Sequence, residues 1–276
     1  MMTDNKAFVS VIIPTHNSER TLSKCLRSIE NQTYRNVEVI VVDKLSRDAT
    51  IDIAKEFGVK VFSIKARERS EQMNFGVKKA SGEYIYIVGS DFVLEPTVIE
   101  EAVETCYRED YDAICVHNTS DPTVGFWSKV RKFERDMYKN DEFNVSARFL
   151  RKDVFEEIGG FDENLVAAED YDFQNRLLER EFRVGKISAQ EIHIGEPKTL
   201  KEIVNKHYYY GKTLRVFVKK NREKGMKQLA PIRPAFLRHW KDFLRHPNLS
   251  LGFVIYQFVR YLSAGLGYLA EREDSV

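Results

Sequence analysis

The sequence predicts an α/β fold: a mostly parallel sheet flanked by helices, followed by a C-terminal helical extension. Short apolar runs recur through the first part of the 276-residue chain and alternate with segments of helical spacing. The runs are predominantly apolar, which is typical of strands covered on both faces of a parallel sheet. A hydrophobic fraction of 43% is enough for one sizeable core and excludes a disordered chain.

The first strand, loop and helix set the pattern. Residues 8–13 form a β-branched apolar run that Pro14 closes, and residues 19–31 follow with apolar side chains at helical spacing. Glycines end the later helices, and Pro96 precedes one of them. In chain order, the predicted elements are a strand at 8–13, a helix at 19–31, a strand at 37–42, a helix at 49–57, a strand at 59–64, a helix at 70–80, a strand at 84–88, a helix at 97–107 and a strand at 113–116.

The composition changes at Lys198, where the chain becomes basic, aromatic and helical. Residues 198–276 contain 16 Lys and Arg against 6 Asp and Glu, whereas residues 1–197 contain 27 against 36 and are acidic. We therefore predict an α/β domain at 1–197 and a basic, helical extension at 198–276.

The stretch 249–270 within this extension has the length of a transmembrane helix. It contains Arg260 and three glycines and lacks the flanks typical of a span, so we predict that it lies at a membrane interface. The clustered cations of the extension would attract anionic lipid headgroups. The alternative is that the segment packs on the α/β domain or on another subunit.

Cysteine usage and the N-terminus favour a cytoplasmic protein. The three cysteines, Cys25, Cys106 and Cys115, have no paired spacing, which favours a reducing compartment and argues against a zinc site. Residues 1–7 are polar and show no signal-peptide pattern. We expect a cytoplasmic location, with the extension at the cytoplasmic face of a membrane. The net charge of +1 and the lack of a recognition motif argue against a nucleic-acid partner.

Polar residues follow the predicted strands at the edge where parallel sheets bind ligands. His16, Asp43 and Asp91 each lie just after a strand, and the segment 65–69 after another strand is rich in cations. The loop "PTHN" contains no glycine, so it is neither the GxGxxG cradle of dehydrogenases nor a GxxxxGK[ST] loop. These observations disfavour redox cofactors and ATP hydrolysis, and they suit a bound nucleoside diphosphate.

The order and spacing of three segments resemble the successive motifs of glycosyltransferase family 2, the inverting enzymes with a GT-A fold. The segments are "VSVIIPTHNSERTLSKCLRSIENQTYRNVEVIVVD", "RSEQMNFGVKKASGEYIYIVGSD" and "GGFDENLVAAEDYDFQNRLLERE". The likeness runs from residue 8 to about residue 181. It implies a GT-A type, Rossmann-like sheet, a UDP- or GDP-linked sugar donor and a divalent cation, Mg²⁺ or Mn²⁺. The basic extension adds the expectation that the acceptor is lipid-linked or close to a membrane.

The resemblance also implies roles for individual residues. Asp43 would hydrogen-bond the base or ribose, and Asp91 matches the last carboxylate of the family's DxD motif, which binds the cation. Asp170 matches the catalytic base, which takes the acceptor's proton in an inverting transfer. His193 is a further candidate for a metal or phosphate contact. The residues expected to bind the nucleotide sugar are Pro14, Thr15, His16, Asn17, Asp43, Arg69, Ser90 and Asp91.

Two positions depart from the family pattern. Gly89 stands where the first Asp of the triplet is usual, and Lys44 stands where many members have a second acid after Asp43. We expect an active enzyme with an altered ribose contact or weaker metal affinity, and a cation beside the nucleotide at Lys44. One alternative is a catalytically silent module that binds nucleotide sugar or a partner, with Asp91 as an ordinary turn residue. Another, a sugar-phosphate nucleotidyltransferase, would need a glycine-rich loop that "PTHNSE" lacks.

Overall fold

A computed structural model describes residues 7–139, 141 and 146–270 of the chain. The chain forms two compact units. The first comprises Met1–Asn118, Ser146–Glu163 and Phe173–Gly195, and the second comprises Thr119–Val145, Asn164–Asp172 and Glu196–Val276. The second unit thus takes in two earlier segments besides the extension, while the domain boundary at residue 197 stays a prediction. Residues 1–6, on which the signal-peptide expectation rests, lie outside the described residues.

Strands and helices alternate through the first unit as the apolar runs predict. The elements, in chain order, are β1 (Val9–Thr15), α1 (Leu22–Glu30), β2 (Val37–Asp43), α2 (Thr50–Glu56), β3 (Lys60–Ser63), α3 (Arg69–Lys79), β4 (Tyr84–Ile87), β5 (Phe92–Leu94), α4 (Val98–Glu109), β6 (Ala113–Ser120), α5 (Phe126–Asp136), β7 (Phe149–Arg151), α6 (Lys152–Ile158), α7 (Glu169–Glu179), β8 (Val184–His193), α8 (Leu200–Gln228), α9 (Pro234–Arg238), α10 (Trp240–Arg245) and α11 (Pro247–Ala270).

The described strands form one mixed sheet in the order β3-β2-β1-β4-β7-β6-β8-β5. β1 pairs in parallel with β2 and with β4, and β2 pairs in parallel with β3. β7 is antiparallel to both β4 and β6, and β5 is antiparallel to β8. The α/β class is confirmed, and the parallel half of the sheet is the half that carries the predicted strand-end residues.

The core of the first unit lies around β1, all seven residues of which are buried. Each large apolar side chain buried there stabilises the fold by roughly 1.5–3 kcal/mol. Helix α3 packs unusually close to this strand, because a Cβ added at Gly76 would lie 2.4 Å from Cγ2 of Ile12. All three cysteines are buried and free, and burial raises the pKa of Cys106 to about 12. They are therefore unreactive core thiols.

Helices build the second unit, and α8 and α11 pack backbone to backbone. A Cβ added at Gly211 would lie 2.2 Å from the carbonyl oxygen of Ala264, and one added at Gly267 would lie 2.1 Å from that of Tyr208. Only glycine allows such an approach. Among the described residues, α11 is the one helix long and apolar enough to cross a membrane by length and composition.

A buried carboxylate joins α5 to α11 within the second unit. Glu134 is 1% exposed and accepts hydrogen bonds from Arg131 and, at 3.1 Å, from Nη2 of Arg260. Burial alone would raise the pKa of this carboxyl, but the surrounding guanidinium groups outweigh burial and lower the pKa to about 2. Glu134 is therefore ionised, and its charge holds the two helices together.

Candidate active site

The ends of β1 and β2 meet at a buried carboxylate. The parallel register pairs Thr15 with Asp43, and Oγ1 of Thr15 donates to Oδ1 of Asp43 at 2.9 Å. Ser46 donates its backbone N–H to Oδ2 at 2.8 Å and its hydroxyl to Oδ1 at 2.5 Å. Asp43 is fully buried, and most of the hydrogen bonds that its carboxylate can accept come from the two loops. Its hydrogen bond to a base or ribose stays a prediction.

His16 and Asn17 are exposed on the loop that follows β1. Nδ1 of His16 lies 2.9 Å from the carbonyl oxygen of Lys44, and since a carbonyl only accepts, Nδ1 carries the proton. Asn17 has a φ of 50° and links the loops through its N–H, which donates to Ser46, and its Oδ1, which accepts from Arg47. These bonds hold the imidazole at the surface in a fixed orientation, suited to stacking on a base.

Gln72 is a structural anchor that the sequence did not indicate. Its side chain is 3% exposed, and Nε2 donates to the carbonyl oxygens of Thr15 at 2.8 Å and Val42 at 2.7 Å. One amide of α3 therefore ties together the ends of the two strands from which the loops emerge. The only signal in the sequence is a polar residue next to Met73, on the buried face of a helix.

The predicted cations have different environments. The ammonium of Lys44 donates to the carbonyl oxygen of Arg67, so that this side chain joins the loops after β2 and β3. The guanidinium of Arg67 pairs with Glu71 at 2.7 Å. Arg69 is exposed at the first position of α3, beside the strand ends. Ser90 lies close to the loop after β1, because its hydroxyl donates to the hydroxyl of Ser18 at 2.9 Å.

Asp91 and His193 come together through the pairing of β5 with β8. The register places His193 opposite Phe92, and Nε2 of His193 lies 3.0 Å from Oδ2 of Asp91. The imidazole is held by burial and by an edge contact with the ring of Phe92, at a centroid distance of 4.8 Å. The Asp91 carboxylate is 37% exposed, so one of the two groups faces solvent.

Two glycines make room for the Asp91 side chain. A Cβ added at Gly195 would lie 2.6 Å from Oδ2 and 2.7 Å from Cβ of Asp91, and one added at Gly89 would lie 2.8 Å from Oδ1. An aspartate at position 89 would therefore force this carboxylate to shift. This contact gives a physical reason for the departure at Gly89, and Gly195 is a site residue that the sequence did not indicate.

A buried ion pair supports the same edge. Glu191 lies two residues before His193 on β8, is fully buried, and binds the guanidinium of Arg148 and, at 2.9 Å, the hydroxyl of Tyr86. The guanidinium also stacks over the ring of Phe92 at 5.0 Å. The ring that contacts the imidazole is thus packed from both sides.

Asp91 and His193 fit part of the coordination sphere of a divalent cation. Adjacent ligands of an octahedral ion with bonds of about 2.1 Å lie about 3.0 Å apart, and their ligating atoms are separated by 3.0 Å. A nitrogen ligand suits Mn²⁺ better than Mg²⁺, which prefers oxygen. The described residues contain no group of three or more potential ligands. Water and a bound diphosphate would have to complete the sphere.

Asp170 lies in the second unit, in a first helical turn with three acids. Its Oδ1 accepts the N–H of Tyr171 at 2.9 Å. Glu169 and Asp172 are 3% and 1% exposed, and Asp172 is bound by Lys220 and Asn221. Asp170 is the one of the three that is not buried. Acidic residues are common at helix N-termini, and the role of Asp170 as the catalytic base stays a prediction.

The model of the family described as "Glycosyl transferase family 2" matches residues 10–161. The chain is 29% identical over 231 residues to "Glycosyltransferase GlyA" of Streptococcus pneumoniae, a match that covers 76% of this chain and 31% of that protein. It is 33% identical over 110 residues to a "Dolichyl N-acetyl-alpha-D-glucosaminyl phosphate 3-beta-D-2,3-diacetamido-2,3-dideoxy-beta-D-glucuronosyltransferase" of Methanococcus voltae, covering 37% of this chain and 34% of that protein. The chain thus spans about a third of the length of each of these two relatives.

Among solved structures, the chain resembles the mannosyltransferase PcManGT from Pyrobaculum calidifontis, solved in complex with GDP-Man and Mn²⁺. The TM-score is 0.67 at 13% identity, covering 96% of this chain and 88% of that one. At this level of identity the likeness establishes the fold, which is the GT-A type expected from the motifs.

Proposed function

The chain belongs to glycosyl transferase family 2, and we propose that it is an inverting glycosyltransferase dependent on a divalent cation. It would transfer a sugar from a UDP- or GDP-linked donor to an acceptor hydroxyl or phosphate. The observation that carries this proposal is the pair of Asp91 and His193, 3.0 Å apart at the carboxyl edge of the sheet. A carboxylate oxygen and an imidazole nitrogen this close together are more typical of a pair of metal ligands than of an ordinary turn.

Donor binding follows from the strand ends. The loops after β1 and β2 hold His16 exposed in a fixed orientation, where its ring can stack on the base. Arg69 adds a positive charge for the phosphates. Asp91 and His193 would hold Mg²⁺ or Mn²⁺, and that cation would neutralise the charge that develops on the departing diphosphate. With Gly89 in place of the usual acid, a contact to the ribose or the metal would be lost, while Asp91 would still bind the cation.

Transfer requires a base for the acceptor, and Asp170 is the residue we assign. Its carboxylate would take the proton from the acceptor oxygen as that oxygen forms a bond to the anomeric carbon. The bond from that carbon to the diphosphate breaks on the opposite face, and the nucleoside diphosphate departs. Attack from the opposite face inverts the anomeric configuration.

We assign a lipid-linked or membrane-proximal acceptor from the composition of residues 198–276. The Methanococcus voltae relative is named for transfer to a dolichyl phosphate-linked sugar, which supports this assignment. The enzyme would then work at the cytoplasmic face of a membrane and touch it through the extension.

The experiment is a calorimetric titration of the full chain with UDP and with GDP, each with Mn²⁺ and with EDTA. We expect binding to one nucleotide, dependent on the cation and lost in Asp91→Ala. Glu109→Ala, an exposed acid at the end of α4, is the control and should bind as the wild type. Nucleotide binding that neither EDTA nor Asp91→Ala weakens would refute the cation site.

A second candidate is a catalytically silent nucleotide-sugar-binding module, which the departure at Gly89 favours. Turnover separates the two. The enzyme should release nucleoside diphosphate from its donor in the presence of acceptor, whereas a silent module would bind the donor and release none.

A further inference from the structure

The outer face of α11 is entirely apolar from Leu251 to Ala270. Eight residues of the stretch from Leu251 to Ala270 are exposed, and none carries a polar side chain. A surface helix of a globular protein normally turns a polar face outward. The exposed residues extend over about 27 Å of helix and are Leu251, Val254, Ile255, Phe258, Leu262, Gly265, Leu266 and Leu269.

The opposite face of α11 is fixed, so the apolar face cannot turn inward. Gly252 packs against α5, where an added Cβ would lie 2.7 Å from the ring of Phe126. Gly267 packs on the backbone of α8, and Arg260 donates to the buried Glu134 at 3.1 Å. This ion pair also argues against a membrane span, since it would place both charges at the depth of the hydrocarbon.

A short amphipathic segment in the same unit adds an aromatic anchor. Leu237, Trp240 and Leu244, spaced three and four residues apart along α9 and α10, are 67%, 55% and 72% exposed. Each is followed by a cation, and Nζ of Lys241 lies 5.8 Å from the ring centroid of Trp240. Tryptophan and leucine alternating with lysine and arginine are typical of helices that lie in the headgroup region.

The charge of this unit complements an anionic surface. Residues 198–270 contain 15 Lys and Arg against 3 Asp and Glu. On α8 the stretch 212–227 contains one acid, Glu223, and that acid is paired with Lys227 at 2.8 Å. Self-association across a two-fold axis would bring such surfaces against each other with the same sign. A bilayer containing anionic lipids would instead attract them.

We propose that the outer face of α11 and the exposed residues of α9 and α10, together the docking face, seat the protein on an anionic bilayer. The helix lies in the plane of the interface with its apolar side chains in the acyl region, and the cations of α8 engage headgroups. This inference rests on the membrane contact proposed above and names the residues that make it. Its test needs neither donor nor acceptor, so its failure would leave the nucleotide titration and the transferase assignment unaffected.

The test is flotation of the full chain with vesicles of phosphatidylcholine alone and of phosphatidylcholine with phosphatidylglycerol, at low salt. We expect flotation with the anionic vesicles. The variant Phe258→Glu/Leu262→Glu should lower the partition coefficient at least about tenfold, since it removes two large side chains from the acyl region. Tyr107→Glu, which changes an aromatic residue on α4 that is 80% exposed against 68% for Phe258, is the control and should float as the wild type.

Three outcomes would overturn the proposal. The folded wild type could stay at the bottom with anionic vesicles, or the double variant could float as well as the wild type. Alternatively, sedimentation could reveal a dimer that the double variant dissociates while neither protein floats, which would assign the face to a second copy. Since Phe258 and Leu262 are 68% and 52% exposed, the variant should fold, and circular dichroism checks this. If the double variant does not fold, Val254→Glu, a single change on the same face, replaces it in the flotation test.

Discussion

The substitution Gly195→Ala tests the candidate cation site without replacing either proposed ligand, Asp91 or His193. The new methyl group would lie 2.6 Å from Oδ2 and 2.7 Å from Cβ of Asp91, against an ordinary contact of at least 3.4 Å. The Asp91 side chain would therefore have to move by about 0.7 Å. Rotating the carboxylate cannot relieve a contact to Cβ, so the separation from His193 must change.

Displacement of this size should weaken cation-dependent nucleotide binding about 10–100-fold, the range found when the orientation of a ligand is disturbed. The assay is the calorimetric titration with Mn²⁺, and the protein should stay folded because Gly195 is exposed and its backbone φ is open to any residue. Gly265→Ala makes the same chemical change where an added Cβ meets nothing within 4 Å. That control should bind as the wild type. Equal affinity in the two variants would show that the cation does not depend on Asp91.

Three other changes test separate parts of the molecule. Asp170→Asn should abolish transfer and leave donor affinity unchanged, as measured by turnover beside titration; normal turnover would remove Asp170 as the base. Gln72→Met removes two buried hydrogen bonds and should cost about 2 kcal/mol of unfolding free energy in urea, whereas Lys78→Met on the exposed face of the same helix should not. Because the pKa of Glu134 is lowered to about 2, its stabilising charge is present above the ordinary carboxyl range and is lost as pH falls toward 2. Glu134→Gln should therefore flatten the acid limb of a stability-against-pH curve, and a limb identical to that of the wild type would contradict this.

The sequence reveals the parallel half of the sheet better than the rest. β1, β2 and β4 are mostly apolar, because most of their residues are buried on both faces of the sheet. β8 alternates between buried and less buried positions, and β5 and β7 have three residues each, so none of them produces such a run. Strands of this kind are defined by partners far away in the chain, which a local pattern does not contain.

The same limit applies to the site. His16, Asp43 and Asp91 follow apolar strands and could be found as strand-end residues, and the family motifs added Asp170. Gln72 and Gly195 remained hidden, because the importance of each lies in what it touches: carbonyl groups 30 and 57 residues away for one, and a carboxylate for the other. Lys44 is expected beside the nucleotide, and this stays a prediction; its hydrogen bond to the carbonyl oxygen of Arg67 is a contact that the sequence did not indicate.

The pairing of β5 with β8 affects how the sequence of such a protein can change during evolution. Since a backbone ladder brings Asp91 to His193, the number of residues between them is irrelevant to their distance. The intervening chain includes two segments that belong to the second unit, Thr119–Val145 and Asn164–Asp172. Insertions and deletions there can accumulate over evolution without altering the register of the ladder. Such changes in length would leave the distance between Asp91 and His193 unchanged.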